Sequence, residues 1–371
     1  MILVLIGTRP ELIKMHSVLS FLKQDNIQYL LVSTGQQKEL LQQTAEALNV
    51  KIDVDLDLMK PQQHISEFVS TGIIEVTRLI VKYRPEKIVV HGDTSTTFIG
   101  AVAGYLNQIP VAHVEAGTRT GNLKQPWPEE GYRRMVDAIS MELFAPTQED
   151  FKNLTLDKFQ VAYLTGNTGV DIAIEFGQKV PPLERFNFSP KKIVITLHRR
   201  ESHEGYLKEL LTQIVYEAIQ HNEIDFYFIL HPNPKVLAEV SHVLKDSKVT
   251  VLEPLDFHGL MNLLSSAWLC LTDSGGLALE CVSLGLPVGI LRDEVEENSI
   301  VTNGNAVLFG RGHQAISEAL RHFKDKNAYL ECANKSNPLG DGNSGVRIGE
   351  ILAENAVSAN YHRVDNFRNS R

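Results

Sequence analysis

Cysteine is scarce. The 371 residues hold three, Cys270, Cys281 and Cys332, an odd number set among apolar neighbours, which argues against a disulfide framework and for buried thiols in a reducing compartment. No stretch approaches the roughly 20 apolar residues that a membrane-spanning helix requires, so no membrane partner is expected. The amino terminus, MILVLIGTRPELIK, has no basic stretch before its apolar run and no small-residue cleavage site after it. It therefore reads as a first buried strand and not as a signal peptide, and cytoplasm is the expected location. Positive charge is also short. The 36 Lys and Arg against 45 Asp and Glu leave a net charge of -9, which gives no field to gather nucleic acid; an anionic ligand would need local cations instead. The 13 histidines invite a metal, but HExxH, paired CxxC and a compact carboxylate loop are all missing, and His198 and His203 on either side of Glu201 are weak grounds. No metal is expected. GxGxxG after the first strand and GxxxxGK[ST] are missing too, so NAD and ATP lack support and no cofactor is expected. Short-period repeats and low-complexity tracts do not occur.

What is present is an ordinary globular composition, 43% hydrophobic and 22% charged, in a chain longer than one core usually supports, so two domains are the default. Short apolar runs alternate with segments of helical period: MILVLIG then Glu11 to Lys23, YLLVST then Lys38 to Leu48, KIVVHG then Thr94 to Leu106, and PVAHVEA further on. That alternation marks a parallel sheet covered by helices. KKIVITL, DFYFIL, KVTVL, WLCLT and LPVGIL form a second such set from about residue 191 to 325. Gly, Asn and Pro clusters between the sets place a junction near Asn167 to Pro190. The expected class is α/β, two Rossmann-like domains facing a cleft: 1–168, 169–356 and a polar tail 357–371.

In open parallel sheets ligands bind beyond the carboxyl ends of the strands, and charged and glycine-rich loops fall there. Asp273-Ser274-Gly275-Gly276 follows WLCLT and opens a helix, so its free N–H groups can cradle a phosphate, although an ordinary capped helix start reads the same way. Glu280, one turn further on, faces where ribose hydroxyls could sit, or is a solvated helix residue. Arg9, between the first strand and Pro10, aims a guanidinium at the cleft or lies on the surface; Lys14 is on the same helix. Asp93 and Glu115 end two strands, and Glu129-Glu130 follows Trp-Pro at a helix start. Each alone is what a cap or loop carboxylate looks like, yet three converging carboxylates suit proton transfer at carbon. His198-Arg199-Arg200-Glu201 brings cations suited to a diphosphate leaving group, or is a basic loop without a ligand. His231-Pro232-Asn233-Pro234 follows DFYFIL in the same manner, or is only a rigid turn.

The motifs IGTRPELIK, STGQQ, VHGDTSTT, HVEAGTRT, PWPEEGYRR, FAPT, TGNT, TLHRRES, HPNP, TDSGG and NPLGDG, in this order from Met1 to about Ala356, resemble those of the non-hydrolysing UDP-N-acetylglucosamine 2-epimerases. The resemblance implies a fold similar to the B-type glycosyltransferases and a UDP-sugar partner, in a homodimer that serves surface polysaccharide synthesis. It implies that Arg9, His198, Ser274, Gly275 and Gly276 hold the diphosphate and Glu280 the ribose. Asp93, Glu115 and Glu129 would be the proton-transfer carboxylates, with Lys14 and His198 counted among the catalytic groups and Arg133 supporting at the substrate. A second UDP-sugar would contact Gln36, Glu130, Arg199 and His231. The chemistry fits the demand: C2 of an N-acetylhexosamine is not acidic, so UDP is eliminated across C1 and C2 to a glycal and re-added with inversion at C2, which needs positive groups and amide donors at the diphosphate.

The chain departs from the family pattern where Leu277-Ala278-Leu279-Glu280 replaces Ile-Gln-Glu-Glu, where the family arginine has become Glu297, and where Gln37 and Tyr132 replace the usual His and Asn. These changes are read as touching the substrate-binding half and not the carboxylates. A hydrolysing relative, an epimerase for a modified UDP-sugar, a glycosyltransferase and a non-catalytic sensor are the alternatives.

Overall fold

The computed structural model describes residues 1–197, 206–231, 233–293 and 299–357. The chain divides into two compact units: Met1–Asp171 with the segment from Gly342 onward, and Ile172–Asp341. Among the described residues no helix is long and apolar enough to cross a membrane.

The first unit is built on a sheet of seven strands, β1 (Ile2–Ile6), β2 (Tyr29–Ser33), β3 (Val54–Asp55), β4 (Lys87–His91), β5 (Val111–Val114), β6 (Glu142–Ala145) and β7 (Val161–Leu164), in the order β3-β2-β1-β4-β5-β6-β7. Every pairing is parallel, with Ile2 beside Tyr29 on one side and beside Lys87 on the other. All five residues of β1 are buried. At roughly 1.5–3 kcal/mol per buried aliphatic side chain, this strand alone contributes on the order of 10 kcal/mol before chain entropy is counted. The helix Ile65–Tyr83 buries Phe68, Gly72, Val76 and Ile80, one residue per turn. At Gly72 a Cβ would come within 2.5 Å of Ile99 Cδ1, so the glycine permits close packing on the helix Ser95–Leu106.

The second unit has six strands, β8 (Lys191–Thr196), β9 (Ile224–Ile229), β10 (Thr250–Leu252), β11 (Leu269–Thr272), β12 (Val288–Ile290) and β13 (Ala306–Leu308), in the order β10-β9-β8-β11-β12-β13, again all parallel. Its core contains Trp268 stacked on Tyr329 with ring centroids 5.5 Å apart, and the Tyr329 hydroxyl donates to the Trp268 carbonyl at 2.7 Å. Arg185 is fully buried, and among the described residues it has no carboxylate partner. Its guanidinium donates instead to the carbonyls of Leu264, Ser265, Ala267 and Leu284, three of them at the last turns of the helices Phe257–Ser265 and Gly275–Ser283, where carbonyls lack helical donors and the dipole favours a cation. All three cysteines are buried free thiols.

The sequence reading divides the chain in linear order, with 169–356 assigned to the second domain. The structure instead returns the helix Ser344–Val357 to the first unit. The cause is local. Gly345 and Gly349, one turn apart, have no Cβ to collide with Ser17 (2.3 Å) and Phe21 (2.2 Å) of the helix Arg9–Gln24, and Asp171 accepts the Ser344 and Gly345 N–H groups at 3.1 and 2.5 Å. The expected tail, apart from Val357, lies outside the described residues.

Candidate active site

The carboxyl ends of β1, β4 and β5 and the start of the helix Glu129–Ile139 bring the expected proton-transfer groups of the first unit together. Glu115 follows β5 with φ +69°, a left-handed conformation that costs a non-glycine residue about 1–3 kcal/mol and marks functional sites. Its Oε2 takes Lys14 Nζ at 2.5 Å and faces His91 Nε2 at 3.4 Å. Burial alone would push this carboxyl up; the Lys14 ammonium, with His91 and Arg133, outweighs it and holds Glu115 down at about 2. Burial pushes His91 in the opposite sense, down to about 4 despite the neighbouring Glu115. Burial also works against charge on Lys14, but Glu115 and Asp93 overcome it and raise its pKa. Asp93 forms a short ion pair with Arg133 Nη2. Glu129 sits one helical turn before Arg133, and its Oε2 is buried with no hydrogen-bond partner among the described residues. The site thus contains three carboxylates in three settings: one beside an ammonium, one beside a guanidinium and one with an unpaired oxygen.

The loops that carry these groups are fixed from beneath. Glu11, nearly fully buried, accepts the Gly7 and Thr8 N–H groups at 3.0 and 2.7 Å and the Thr8 hydroxyl at 2.8 Å on one oxygen. Its other oxygen takes the Thr94 hydroxyl at 2.8 Å, which ties the β1 loop to the β4 loop. Burial raises the Glu11 pKa in spite of these donors. Gly7 is required there, because a Cβ would lie 2.0 Å from Thr96 Oγ1. Glu11 escaped the sequence reading as a site residue, although Thr8 and Glu11 have the spacing of a capping box. His91 and His113 open the motifs at the ends of β4 and β5 but were given no role, and Asp137 escaped notice altogether.

Other expected residues have internal partners. Glu130 accepts the Thr120 N–H at 2.9 Å and Arg134 Nε at 2.9 Å, with Arg133 Nη1 at 3.5 Å. Burial opposes its charge, but these donors lower its pKa. Gln36 accepts from the Thr96 hydroxyl at 3.0 Å. Arg9 is half-buried, and its backbone N–H donates to Gln37 Oε1 at 3.1 Å, so the glutamine standing in the family's histidine position satisfies a free donor of the first helical turn. Tyr132 is a core residue stacked on Phe98 with centroids 4.8 Å apart. Both departures therefore lie in the carboxylate-bearing unit.

In the second unit Ser274 caps the helix Gly275–Ser283, accepting the Leu277 N–H at 3.4 Å, while its own N–H donates to Thr272 at 3.0 Å. Among the described residues a Cβ added at Gly275 or Gly276 would meet nothing within 4 Å, which leaves the amides of a helix start clear of them, a setting for an anion. Glu280 is half-buried on this helix. His231 lies two residues beyond the end of β9 and accepts the Asn233 N–H on Nδ1 at 3.2 Å. His198 and Arg199 lie outside the described residues, as do Arg200, Glu201, His203, Pro232 and Glu297.

Residues 20–353 match the UDP-N-acetylglucosamine 2-epimerase family. The UDP-N-acetylglucosamine 2-epimerase of Yersinia pestis is 35% identical over 373 residues, covering 96% of this chain and 99% of the relative; that of Bacillus subtilis is 35% identical over 359 residues, covering 95% and 94%. The crystal structure of UDP-GlcNAc 2-epimerase from Neisseria meningitidis bound to UDP-GlcNAc is 34% identical with a TM-score of 0.82, covering 95% of this chain and 100% of that one. Acinetobacter baumannii MurG, 11% identical at a TM-score of 0.65, shares the fold alone.

Proposed function

This chain belongs to the UDP-N-acetylglucosamine 2-epimerase family of isomerases, and from that premise we propose that it interconverts UDP-N-acetylglucosamine and UDP-N-acetylmannosamine without releasing the sugar. A carboxylate takes the C2 proton, the C2–H pair becomes the C1–C2 double bond, and the C1–O bond breaks with its electrons leaving on UDP. Re-addition of UDP at C1 with protonation of C2 on the other face completes the inversion. The observation that supports this reading is the cluster of Asp93 and Glu115 with Lys14 and Arg133 in the first unit, with Glu129 one helical turn before Arg133. Glu115, held ionised beside Lys14, is equipped as a base. Glu129, whose buried oxygen has no hydrogen-bond partner among the described residues, has that oxygen free to meet the substrate. Asp93 and Arg133 form a pair that orients substrate.

The open amides of Gly275 and Gly276, the Ser274 hydroxyl, Arg9 and His198 serve the diphosphate, and Glu280 the ribose. The same reading gives Gln36, Glu130, Arg199 and His231 a second UDP-sugar, which would show as a reverse rate, from UDP-N-acetylmannosamine, that rises with a trace of UDP-N-acetylglucosamine. The test of the main reading is product analysis by NMR after incubation with UDP-N-acetylglucosamine. UDP-linked N-acetylmannosamine is expected; free N-acetylmannosamine with stoichiometric UDP would move the chain to the hydrolysing class.

A further inference from the structure

His113 is the third residue of β5 and is fully buried. Its Nδ1 lies 2.7 Å from Asp137 Oδ1 and its Nε2 lies 2.7 Å from the Gly92 carbonyl oxygen. A carbonyl oxygen can only accept, and Asp137 accepts elsewhere as well: its Oδ2 takes Arg119 Nη2 at 2.6 Å and the Gly117 N–H at 3.2 Å. A neutral imidazole carries one N–H, so in one of the two contacts it would set lone pair against lone pair inside a buried site, where such a clash is costly. With Asp137 ionised beside Arg119, only a ring that donates from both nitrogens satisfies both neighbours.

The position of the pair gives it a role. Gly92 immediately precedes Asp93, and Gly117 lies two residues beyond Glu115. Asp137 is on the helix that carries Glu129 and Arg133, and Gln160 Nε2 fixes the end of that helix by donating to the Asp137 and Ser140 carbonyls at 2.7 Å each. We propose that His113, donating from both ring nitrogens, and Asp137 form a buried brace that sets the separation of the Asp93 turn, the Glu115 turn and the helix of Glu129, as positioning residues for the reaction at these carboxylates. Two facts agree with it. Burial would raise the Asp137 carboxyl, but His113 and then Arg119 hold it below the usual carboxylate range. Glu115, strained at φ +69°, needs neighbours that over-determine its turn, and the Gly117-to-Asp137 bond supplies one. Among the described residues, the titratable groups that face the ring are Asp137, itself paired with Arg119, and His91 on the adjacent strand β4.

The inference rests on the proposed epimerisation, and its test separates the two. Full-length protein labelled with 15N at its 13 histidines is examined by imidazole 15N–1H correlation at neutral pH, the His113 signals being those missing from His113→Asn. Both His113 nitrogens are expected to carry protons; one bare nitrogen overturns the brace whatever the enzyme does. His113→Asn keeps a donor toward Asp137 and loses the link to Gly92. It is expected to lower kcat by about 100-fold, the usual result of displacing reacting groups by about an ångström, with KM and UDP affinity within about threefold of wild type. An unchanged kcat also overturns the proposal. Asp137→Asn, which retains an acceptor for Nδ1 but loses the charge facing Gly117 and Arg119, is expected to show the same split and decides the matter if His113→Asn does not fold. Wild-type protein that turns over no UDP-sugar would refute the function and leave the His113 spectrum to decide the brace.

Discussion

Replacing Lys14 with Met removes the cation that holds Glu115 ionised while keeping the stem that packs beside it. Glu115 is brought from its ordinary 4.5 to about 2, and at 1.36 kcal/mol per pKa unit this corresponds to on the order of 3 kcal/mol. The two side chains are 30% and 20% exposed, so solvent screening reduces the figure to about 2 kcal/mol. The sign follows from linkage. A depressed carboxylate contributes stability that is fully present above its unfolded value, here 4.5, and is lost as pH falls through its folded value of about 2. Without Lys14, burial becomes the dominant influence on Glu115 and its pKa rises. At neutral pH Lys14→Met should therefore melt roughly 5 °C below wild type, since about 2–4 °C accompanies each kcal/mol in a chain of this class, and its stability should fall less steeply between pH 4.5 and 2. The catalytic consequence is read from kcat/KM against pH, with UDP-sugars quantified by anion-exchange chromatography. The acid limb should move up by at least about one pH unit, and kcat at pH 7 should drop by roughly 10-fold or more. An acid limb and melting temperature identical to wild type would refute the claim that Lys14 governs the charge of Glu115.

Glu129→Gln should lower kcat by about 100-fold, the usual worth of a positioned acid or base, while the melting temperature stays level or rises, because the substitution removes a carboxylate whose buried oxygen has no donor; a marked loss of stability would show that the oxygen has a partner. Gly276→Val should weaken UDP binding at least about 10-fold in calorimetry without lowering the melting point, since its Cβ meets nothing within 4 Å and its branches would fill the space left for the anion. Gly7→Ala should do the reverse. Its Cβ would lie 2.0 Å from Thr96 Oγ1 and 2.5 Å from Thr34 Oγ1, an overpacking cost of about 1–3 kcal/mol visible in thermal melts, and unchanged stability would mean that these hydroxyls yield freely.

The fold class was legible because strands of a parallel sheet, buried on both faces, leave unbroken apolar runs such as those at Ile2–Ile6 and Leu269–Thr272. Val54–Asp55, Val161–Leu164 and Ala306–Leu308 are edge strands of two to four residues, partly exposed and too short to stand out, and they went unnoticed. The return of the last helix was illegible for a different reason: Gly345 and Gly349 read locally as weak helix residues, and only the approach of Ser17 and Phe21 shows what the missing side chains permit. At the candidate site, Asp93 and Glu115 could be singled out because charge at the carboxyl end of a strand is conspicuous in sequence, and Glu129 because it follows Trp-Pro at a helix start. Their supports could not. His91 and His113 lie within apolar strands, and Asp137 is one more polar residue of an amphipathic helix until its partners, 20 and 24 residues away, are seen. Glu11 is the exception, since its spacing from Thr8 was readable as a capping box; its reach to Thr94 was not.

Proton removal and return at C2 by the carboxylates of the first unit is tested most directly by running the reaction in D2O from UDP-N-acetylglucosamine and following C2 of both UDP-sugars by NMR, with wild type and with Glu115→Gln. Wild type should place deuterium at C2 of UDP-N-acetylmannosamine and, through reversal, of the recovered substrate, and Glu115→Gln should slow that incorporation by about 100-fold. Inversion that keeps protium at C2, or deuterium entering at the wild-type rate in Glu115→Gln, would contradict it.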